Sequence, residues 1–230
     1  MVSANHINRL AGNKVSRYRG NMDDWLWFGG EISLDFVNTL RDRFGPGRET
    51  LHGPEELARW IASTGQWSAV TPTEEEFAQA LRLRAAISRL LENPSTLDLT
   101  DLEIINGAVS GGGGTAGALS PKLEWADAGV AVVRSEPSAA TVLGLIAGNA
   151  IEVFERGEPS RIKTCAHERC GIAFVDTSRA NSRRWCSMKR CGNRAKVAKY
   201  THRQSMSQGS AQSTNHLTDG SSESSITAAG

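Results

Sequence analysis

Residues 165–194 read "CAHERCGIAFVDTSRANSRRWCSMKRCGNR" and contain all four cysteines of the 230-residue chain. The cysteines form two close pairs, Cys165 with Cys170 and Cys186 with Cys191, and fifteen residues separate the pairs. Each pair fits on one turn and supplies two thiolates, and the chain between them brings the pairs together, as in a tetrahedral structural zinc site. Four sulfur ligands close the coordination shell. We therefore predict a structural Zn²⁺ bound by all four cysteines, and no catalytic zinc.

Two histidines are alternative ligands, because His167 lies inside the first pair and His202 follows the last cysteine. Four thiolates already complete the shell, so we expect both histidines on the surface. In a reducing compartment, clustered cysteines more often hold a metal than form disulfides. A segment this short cannot bury a core alone, so metal binding would supply most of its folding energy.

Basic residues are concentrated in the same part of the chain. The whole chain has a net charge of +1, whereas residues 161–203 contain twelve Lys and Arg and only two acids, a local charge of +10. Clusters of this kind neutralise phosphates and are the electrostatic footprint of nucleic-acid binding. The predicted nucleic-acid contacts are Arg179, Arg183, Arg184, Lys189, Arg190, Arg194, Lys196 and Lys199.

Other partners for this basic segment stay open. An acidic protein, or the acidic N-terminal part of the same chain, would also attract it, since residues 1–160 hold 14 Lys and Arg against 21 Asp and Glu. RNA is a further option, but only Phe174 and Trp185 could stack on bases, and we expect both to be buried. A solvated basic face is the alternative to any binding role.

The rest of the chain predicts helices and one β-hairpin. Pro54 and Gly65 bound a short helix, and Thr71 with Glu74 has the spacing of a capping box before a long one. Thr100 and Glu103 repeat that box. Apolar runs on either side of residues 127–129 predict a hairpin. A second long helix follows within 135–155, where Ala147 and Gly148 would let a neighbouring helix approach closely.

We therefore predict an α+β chain: a mainly helical N-terminal domain with a small β-hairpin, and a zinc-ribbon or treble-clef-like C-terminal module. The predicted boundaries are a flexible N-terminus at 1–22, the helical domain at 23–157, the zinc module at 161–203 and a disordered Ser- and Gly-rich tail at 204–230. No run of about 18 apolar residues is present. No apolar segment of a signal peptide follows the basic N-terminus. We expect a cytoplasmic protein without membrane contact.

The cysteine segment resembles the CGNR zinc finger, whose Cys-Gly-Asn-Arg motif is Cys191 to Arg194 here. The resemblance covers roughly residues 160–203 and includes Phe174, Asp176 and Ser178, and the run Trp185-Cys186-Ser187. Upstream, "GGEISLDFVNTL" and "GPEELARWI" resemble the opening of the ABATE domain, which commonly precedes this finger. The resemblance implies a bacterial, stress-linked transcription regulator with a DNA-binding zinc finger.

Enzymatic activity is not expected, because no nucleophile–base pair, metal-hydrolase helix or cofactor loop is present. Asp35 and Asn38 lie three residues apart and are a possible pocket for a small-molecule signal, although capping or buried hydrogen bonding is the alternative role. An N-terminal domain that binds small molecules or catalyses a reaction stays open on these residues. One finger has a small footprint on DNA, so a homodimer is also expected.

Overall fold

The computed structural model describes residues 25–43, 45–67, 70–112, 122–126, 129–133, 136–156 and 159–214. Side chains at 133, 159, 202 and 205–214 are outside the described part. The described residues form two compact units, one ending at Cys186 and one beginning at Ser187. Within these ranges, no helix is both long and apolar enough to cross a membrane.

The first unit is built mainly from five helices. They are α1 (Ile32–Val37), α2 (Pro54–Ser63), α3 (Glu74–Glu92), α4 (Leu99–Gly111) and α5 (Ala139–Glu155). Two hairpins accompany them: β1 (Lys122–Ala126) with β2 (Gly129–Val133), and β3 (Ile162–Thr164) with β4 (Ala173–Val175). Both pairs are antiparallel. This confirms the predicted α+β class with a mainly helical domain.

The residues predicted for the two capping boxes are wrong, because each helix has its box two residues away from the expected place. Thr73 caps α3 and exchanges hydrogen bonds with Glu76, and Asp98 caps α4 and exchanges them with Asp101. In "TPTEEE" two threonines each precede a glutamate by three residues, so spacing alone does not choose between them. The observed cap places three glutamates in the first turn, where the helix dipole favours negative charge.

The core lies where α3, α4 and α5 pack together. The close approach of α5 to α4 occurs at Gly144, where an added Cβ would lie 2.7 Å from the carbonyl oxygen of Ala108. Gly148 faces open space instead, so the predicted role of Gly148 is wrong. Ala147 is buried in the core. The contact lies one turn earlier on the helix because that turn faces α4.

The hairpin of β1 and β2 carries its large apolar side chains on the outside. Leu123 pairs with Val132 and Trp125 pairs with Val130, so these four side chains share one face. Trp125 is 86% exposed and Leu123 is 73% exposed. The hairpin therefore presents an apolar face that the described residues of the first unit do not cover.

The segment before α1 is held by a buried carboxyl group. Asp35 accepts a hydrogen bond from the backbone N–H of Gly29 at 2.7 Å, and the carbonyl of Gly29 accepts one from Val175 at 2.9 Å. An added Cβ at Gly29 would lie 2.8 Å from the backbone nitrogen of Asp35, so only glycine fits. Burial raises the pKa of Asp35 to about 7, and this outweighs the Gly29 hydrogen bond, which lowers it.

The second unit begins with one π-helical turn, Met188–Gly192, which leads into α6 (Asn193–Thr214). The helix extends to Thr214, ten residues past 204, where the sequence predicts that a disordered tail begins. Residues 215–230 of that predicted tail and residues 1–22 of the predicted flexible N-terminus lie outside the described residues.

Replacing Asp35 by Asn tests the buried carboxyl group. The folded protein holds its proton up to about pH 7, whereas the unfolded chain releases it near 3.8. The wild-type free energy of unfolding should therefore fall as the pH rises from about 4 to 7, by at most about 4 kcal/mol from this residue. In Asp35→Asn that contribution should vanish. Denaturant unfolding of both proteins at matched pH values measures it, and an identical pH dependence would contradict it.

Candidate metal centre

The four cysteines converge although they are spread over 27 residues of chain. Their sulfur atoms all lie within 4.8 Å of one another, and all four side chains are buried. Among the described residues, no histidine or carboxylate joins this group. The Nδ1 atom of His167 accepts a long hydrogen bond from the N–H of Arg169 instead. The side chain of His202 is outside the described part.

The spacing of the sulfur atoms fits zinc and excludes a disulfide in this structure. Cys170 Sγ and Cys186 Sγ are 3.7 Å apart, whereas a disulfide requires about 2.05 Å. Zinc–sulfur bonds of about 2.3 Å in a tetrahedron give sulfur–sulfur edges of about 3.8 Å. None of the four cysteines forms a disulfide. Four buried cysteines whose sulfur atoms lie this close together are a metal-binding donor set that fits a structural zinc ion.

The electrostatics of the cluster also call for a cation. Hydrogen bonding to Cys165 and Cys170, together with burial, raises the pKa of the Cys186 thiol. Four thiolates cannot be ionised side by side in a buried site without a positive charge between them. Arg190, one residue before the last cysteine, has a buried Nη1 atom with no hydrogen-bond partner among the described residues. A metal–thiolate centre of net negative charge would balance this guanidinium.

The first cysteine pair is positioned by the β3–β4 hairpin. Cys165 directly follows β3 and donates its N–H to the carbonyl of Ile172 at 2.8 Å. Cys170 donates its N–H to the carbonyl of His167 at 2.9 Å, which closes a tight turn. The two thiols thus project from one hairpin loop, as the short spacing predicted.

A buried carboxylate organises the loop between the two pairs. Asp176 is fully buried and accepts hydrogen bonds from Lys163 Nζ at 2.7 Å, Ser178 N–H at 2.9 Å and Arg183 N–H at 2.8 Å. Burial works against ionisation, but these donors outweigh it and hold the pKa of Asp176 below its usual range. One carboxylate therefore ties together β3, the turn after β4 and the segment that leads into Cys186.

Arg183 completes this loop from the other side. Its guanidinium lies over the ring of Phe174 with 4.5 Å to the centroid, and it donates to the carbonyls of Trp185 and Cys186. A cation held over an aromatic ring and by two carbonyls is fixed in place. Arg183 thus positions the backbone at a metal ligand, besides its predicted role as a nucleic-acid contact.

The last cysteine lies in the π-helical turn of the second unit. The carbonyl of Ser187 accepts hydrogen bonds from the N–H groups of Cys191 and Gly192, both at 3.0 Å. The Ser187 side chain accepts a longer one from the Arg190 N–H. Ser187 therefore caps the turn that begins the CGNR motif and presents Cys191 at the start of α6.

Asn38 joins the helical domain to the hairpin that carries the first cysteine pair. Its Nδ2 donates to the carbonyl of Ala173 at 2.8 Å, and its Oδ1 accepts from the N–H of Ala173 at 2.9 Å. Both residues are buried. One side-chain amide thus satisfies both backbone groups of a β4 residue, which we call the Asn38 clamp.

Arg43 makes a second connection to the same hairpin. Its Nε and Nη2 both donate to the carbonyl of Gly171, Nε at 2.9 Å, and its Nη1 pairs with Glu92. Gly171 directly follows Cys170 and has a φ of +64°. An added Cβ there would lie 2.9 Å from that of Arg43. Only glycine fits both the backbone and the contact.

The remaining predicted nucleic-acid residues divide between the two units. Arg179 and Arg184 are exposed in the first unit, and Arg184 lies against the Trp185 ring at 5.3 Å. In the second unit Lys189, Arg194, Lys196 and Lys199 are exposed, and Arg190 is partly buried. Lys196 and Lys199 are three residues apart on α6 and share one face of it.

Asp35 and Asn38, the predicted ligand pair, both have protein partners. Asp35 binds the Gly29 backbone and Asn38 binds Ala173, and both side chains are at most 5% exposed. Their binding of a small molecule stays a prediction. Sequence reasoning missed the roles of Arg43 and Lys163, because their partners lie 128 and 13 residues away and leave no local signal.

Zinc content and chelation test the metal centre. We expect one zinc per chain, and its loss in Cys170→Ser and in Cys191→Ser, since each removes one ligand from a closed shell. Metal analysis of the purified proteins measures this. Chelation should unfold residues 165–200 and leave the signal of α1 to α5 in circular dichroism. A protein that binds no zinc, or the same zinc in both variants, would contradict the centre.

Asn38→Ala tests the clamp. It leaves the buried N–H and carbonyl of Ala173 without partners, which typically costs about 1–3 kcal/mol for each group. We expect lower stability and faster loss of zinc to a chelator. Ser160→Ala, at an exposed site, is the control. Zinc release at the wild-type rate in Asn38→Ala would show that the clamp does not support the centre.

Comparison with known families identifies both parts of the chain. The CGNR zinc finger model matches residues 161–204. The ABATE model, described as "Putative stress-induced transcription regulator", matches residues 30–157. A search of curated proteins finds no match. Since the ABATE match covers more than half of the chain and the cysteine cluster lies within the finger match, the chain belongs to the ABATE family and carries a CGNR zinc finger.

Proposed function

We propose that this chain is a DNA-binding transcription regulator whose zinc finger contacts DNA and whose helical domain receives a signal. The observation that carries the proposal is the exposed basic surface of α6, which begins two residues after the last cysteine. Lys196 and Lys199 have no ion pair among the described residues, so their charges are available to phosphates. The regulator family supports the same role.

Zinc in this proposal has a structural role. When bound, it fixes the four cysteines and with them the π-helical turn from which α6 extends. The basic residues of α6 then follow a turn that is held by the bound metal. Binding that depends on phosphate neutralisation falls steeply with salt, and it uses only side chains that are not already paired.

The helical domain is the proposed receiver of the signal. The Asn38 clamp and the Arg43–Gly171 contact both reach the hairpin that carries Cys165 and Cys170. A change in the position of α1 would therefore shift the hairpin next to the metal ligands. No enzymatic role is proposed. A cytoplasmic location and a homodimer remain predictions that fit a regulator of this kind.

An acidic protein partner is the second candidate for the finger. Val197 and Tyr200 are each 62% exposed on α6, next to the basic residues. Apolar and aromatic side chains among cations suit a protein surface as well as a DNA groove. Competition between duplex DNA and an acidic protein at several salt concentrations separates the two roles.

Paired lysine variants test DNA binding. Lys196→Gln with Lys199→Gln should weaken binding to a random-sequence duplex about tenfold and reduce the salt slope by about 1 for each lost phosphate contact. Arg82→Gln with Lys122→Gln, at exposed positions of α3 and β1, is the charge-matched control and should bind as the wild type does. Fluorescence anisotropy at several salt concentrations measures both. Equal affinity of the double variant and the control, or binding that persists after chelation, would overturn the proposal.

A further inference from the structure

A cleft of about 190 Å³ lies between the C-terminal end of α1 and one face of α3. Its walls combine apolar side chains, Val37, Leu40 and Leu81, with the three arginines Arg43, Arg84 and Arg89. Ligand sites typically combine apolar walls with a few placed polar groups. The small volume limits an occupant to a compact molecule.

Each of the three arginines is held by an acid that is not part of the cleft wall. Arg84 pairs with Glu49, Arg89 with Asp101, and Arg43 with Glu92. Arg84 is 8% exposed and also donates to Thr39 Oγ1 at 2.9 Å. The acids fix the guanidinium groups from outside, so the cleft itself is lined by positive groups that are already in position.

The arginines favour the ionised form of two of these acids, Glu49 and Asp101. The hydrogen bond from Arg89 lowers the pKa of Asp101. Burial of Glu49 is outweighed by its hydrogen bonds from Arg84 and the backbone, so its pKa is also lowered. Arg89 uses Nε and Nη2 for Asp101, which leaves Nη1 for another acceptor. A guanidinium group with a remaining donor pair at an apolar wall suits a carboxylate.

We infer that this cleft binds a small carboxylate with an apolar body, such as an aromatic or short aliphatic acid. The inference rests on the signal-receiving half of the proposed function and names its site and ligand class. The carboxylate would meet the guanidinium groups, and the hydrocarbon part would cover Leu40 and Leu81. A neutral molecule of the same shape would lack the ionic contact.

Arg43 connects this cleft to the metal centre. The same guanidinium that lines the cleft donates to the carbonyl of Gly171, the residue after the ligand Cys170. A carboxylate that accepts hydrogen bonds from Arg43 competes with the carbonyl of Gly171 for the same donors, which weakens that bond and loosens the hairpin that carries the first cysteine pair. Bound ligand should therefore lower the affinity of the finger for DNA. By linkage, DNA should lower the affinity for the carboxylate by the same factor.

Benzoate and its neutral analogue benzamide are the probes, used with the zinc-loaded full chain. We expect benzoate to bind with a Kd of about 1 mM or tighter, as its size allows, and benzamide to bind at least tenfold more weakly. Chemical-shift changes at the backbone amides of α3 measure both. Equal binding of the two probes, or no binding of benzoate well above that concentration, would overturn the inference.

A matched pair of variants locates the site. Ala85→Glu places a carboxylate at an exposed position of the cleft wall and should weaken benzoate binding at least tenfold. Gln79→Glu adds the same charge at an exposed position of α3 outside the wall and should leave binding unchanged. The two changes are on the surface, so folding is retained. Equal benzoate affinity in both variants would place the ligand elsewhere and refute the cleft.

The link to the finger has its own readout. Saturating benzoate should weaken DNA binding at least twofold in the wild type and leave it unchanged in Arg43→Gln. Unchanged DNA affinity in the wild type would disprove the link. DNA binding without benzoate is measured separately, so failure of the cleft and failure of the DNA-binding proposal give different results. Benzoate binding without DNA binding contradicts the latter alone.

Discussion

The two hydrogen bonds between the Asn38 amide and the backbone of Ala173 join the helical domain to the hairpin of the first cysteine pair. Both partners are buried, so water cannot replace either bond. The neighbouring bond from Val175 to Gly29 extends the contact along β4. The polar residues of the "LDFVNT" stretch therefore bind backbone groups outside α1. Asp35 shapes the chain before α1, and Asn38 at its end reaches the finger. The two family matches meet at this contact as parts of one hydrogen-bonded structure.

Sequence reasoning predicted best what depends on local spacing. The spacing of the two cysteine pairs predicted that the four cysteines lie together, and apolar periodicity predicted the helices. The capping box of α3 lies two residues after the predicted one, because Thr71 and Thr73 each precede a glutamate by three residues. Asn38 was recognised as a buried hydrogen-bonding candidate, but its partner lies 135 residues away and no pattern in one sequence reveals that pairing. The same holds for Asp176, whose donors come from three separate positions.

Charge counting had a different limit. The local charge of +10 counts every arginine and lysine alike, whereas in the structure these side chains make different contacts. Lys163 neutralises a buried carboxylate, and Arg183 supports the loop before Cys186. In the helical domain, Arg43, Arg84 and Arg89 are held by acids. Exposed cations such as Lys196 and Lys199 are the ones left for a partner. Composition therefore locates a basic region, but contacts decide which members of it can bind.

The hairpin of β1 and β2 has a practical consequence for work with the purified protein. Four apolar side chains, including the highly exposed Trp125, form an apolar patch on one face of the hairpin. Exposed apolar strips with free strand edges promote self-association at high concentration. Because this attraction is apolar, added salt strengthens it while weakening contacts made by the basic finger. In a salt series, association through the hairpin should therefore increase the particle size as salt rises. Association through the basic finger should decrease it.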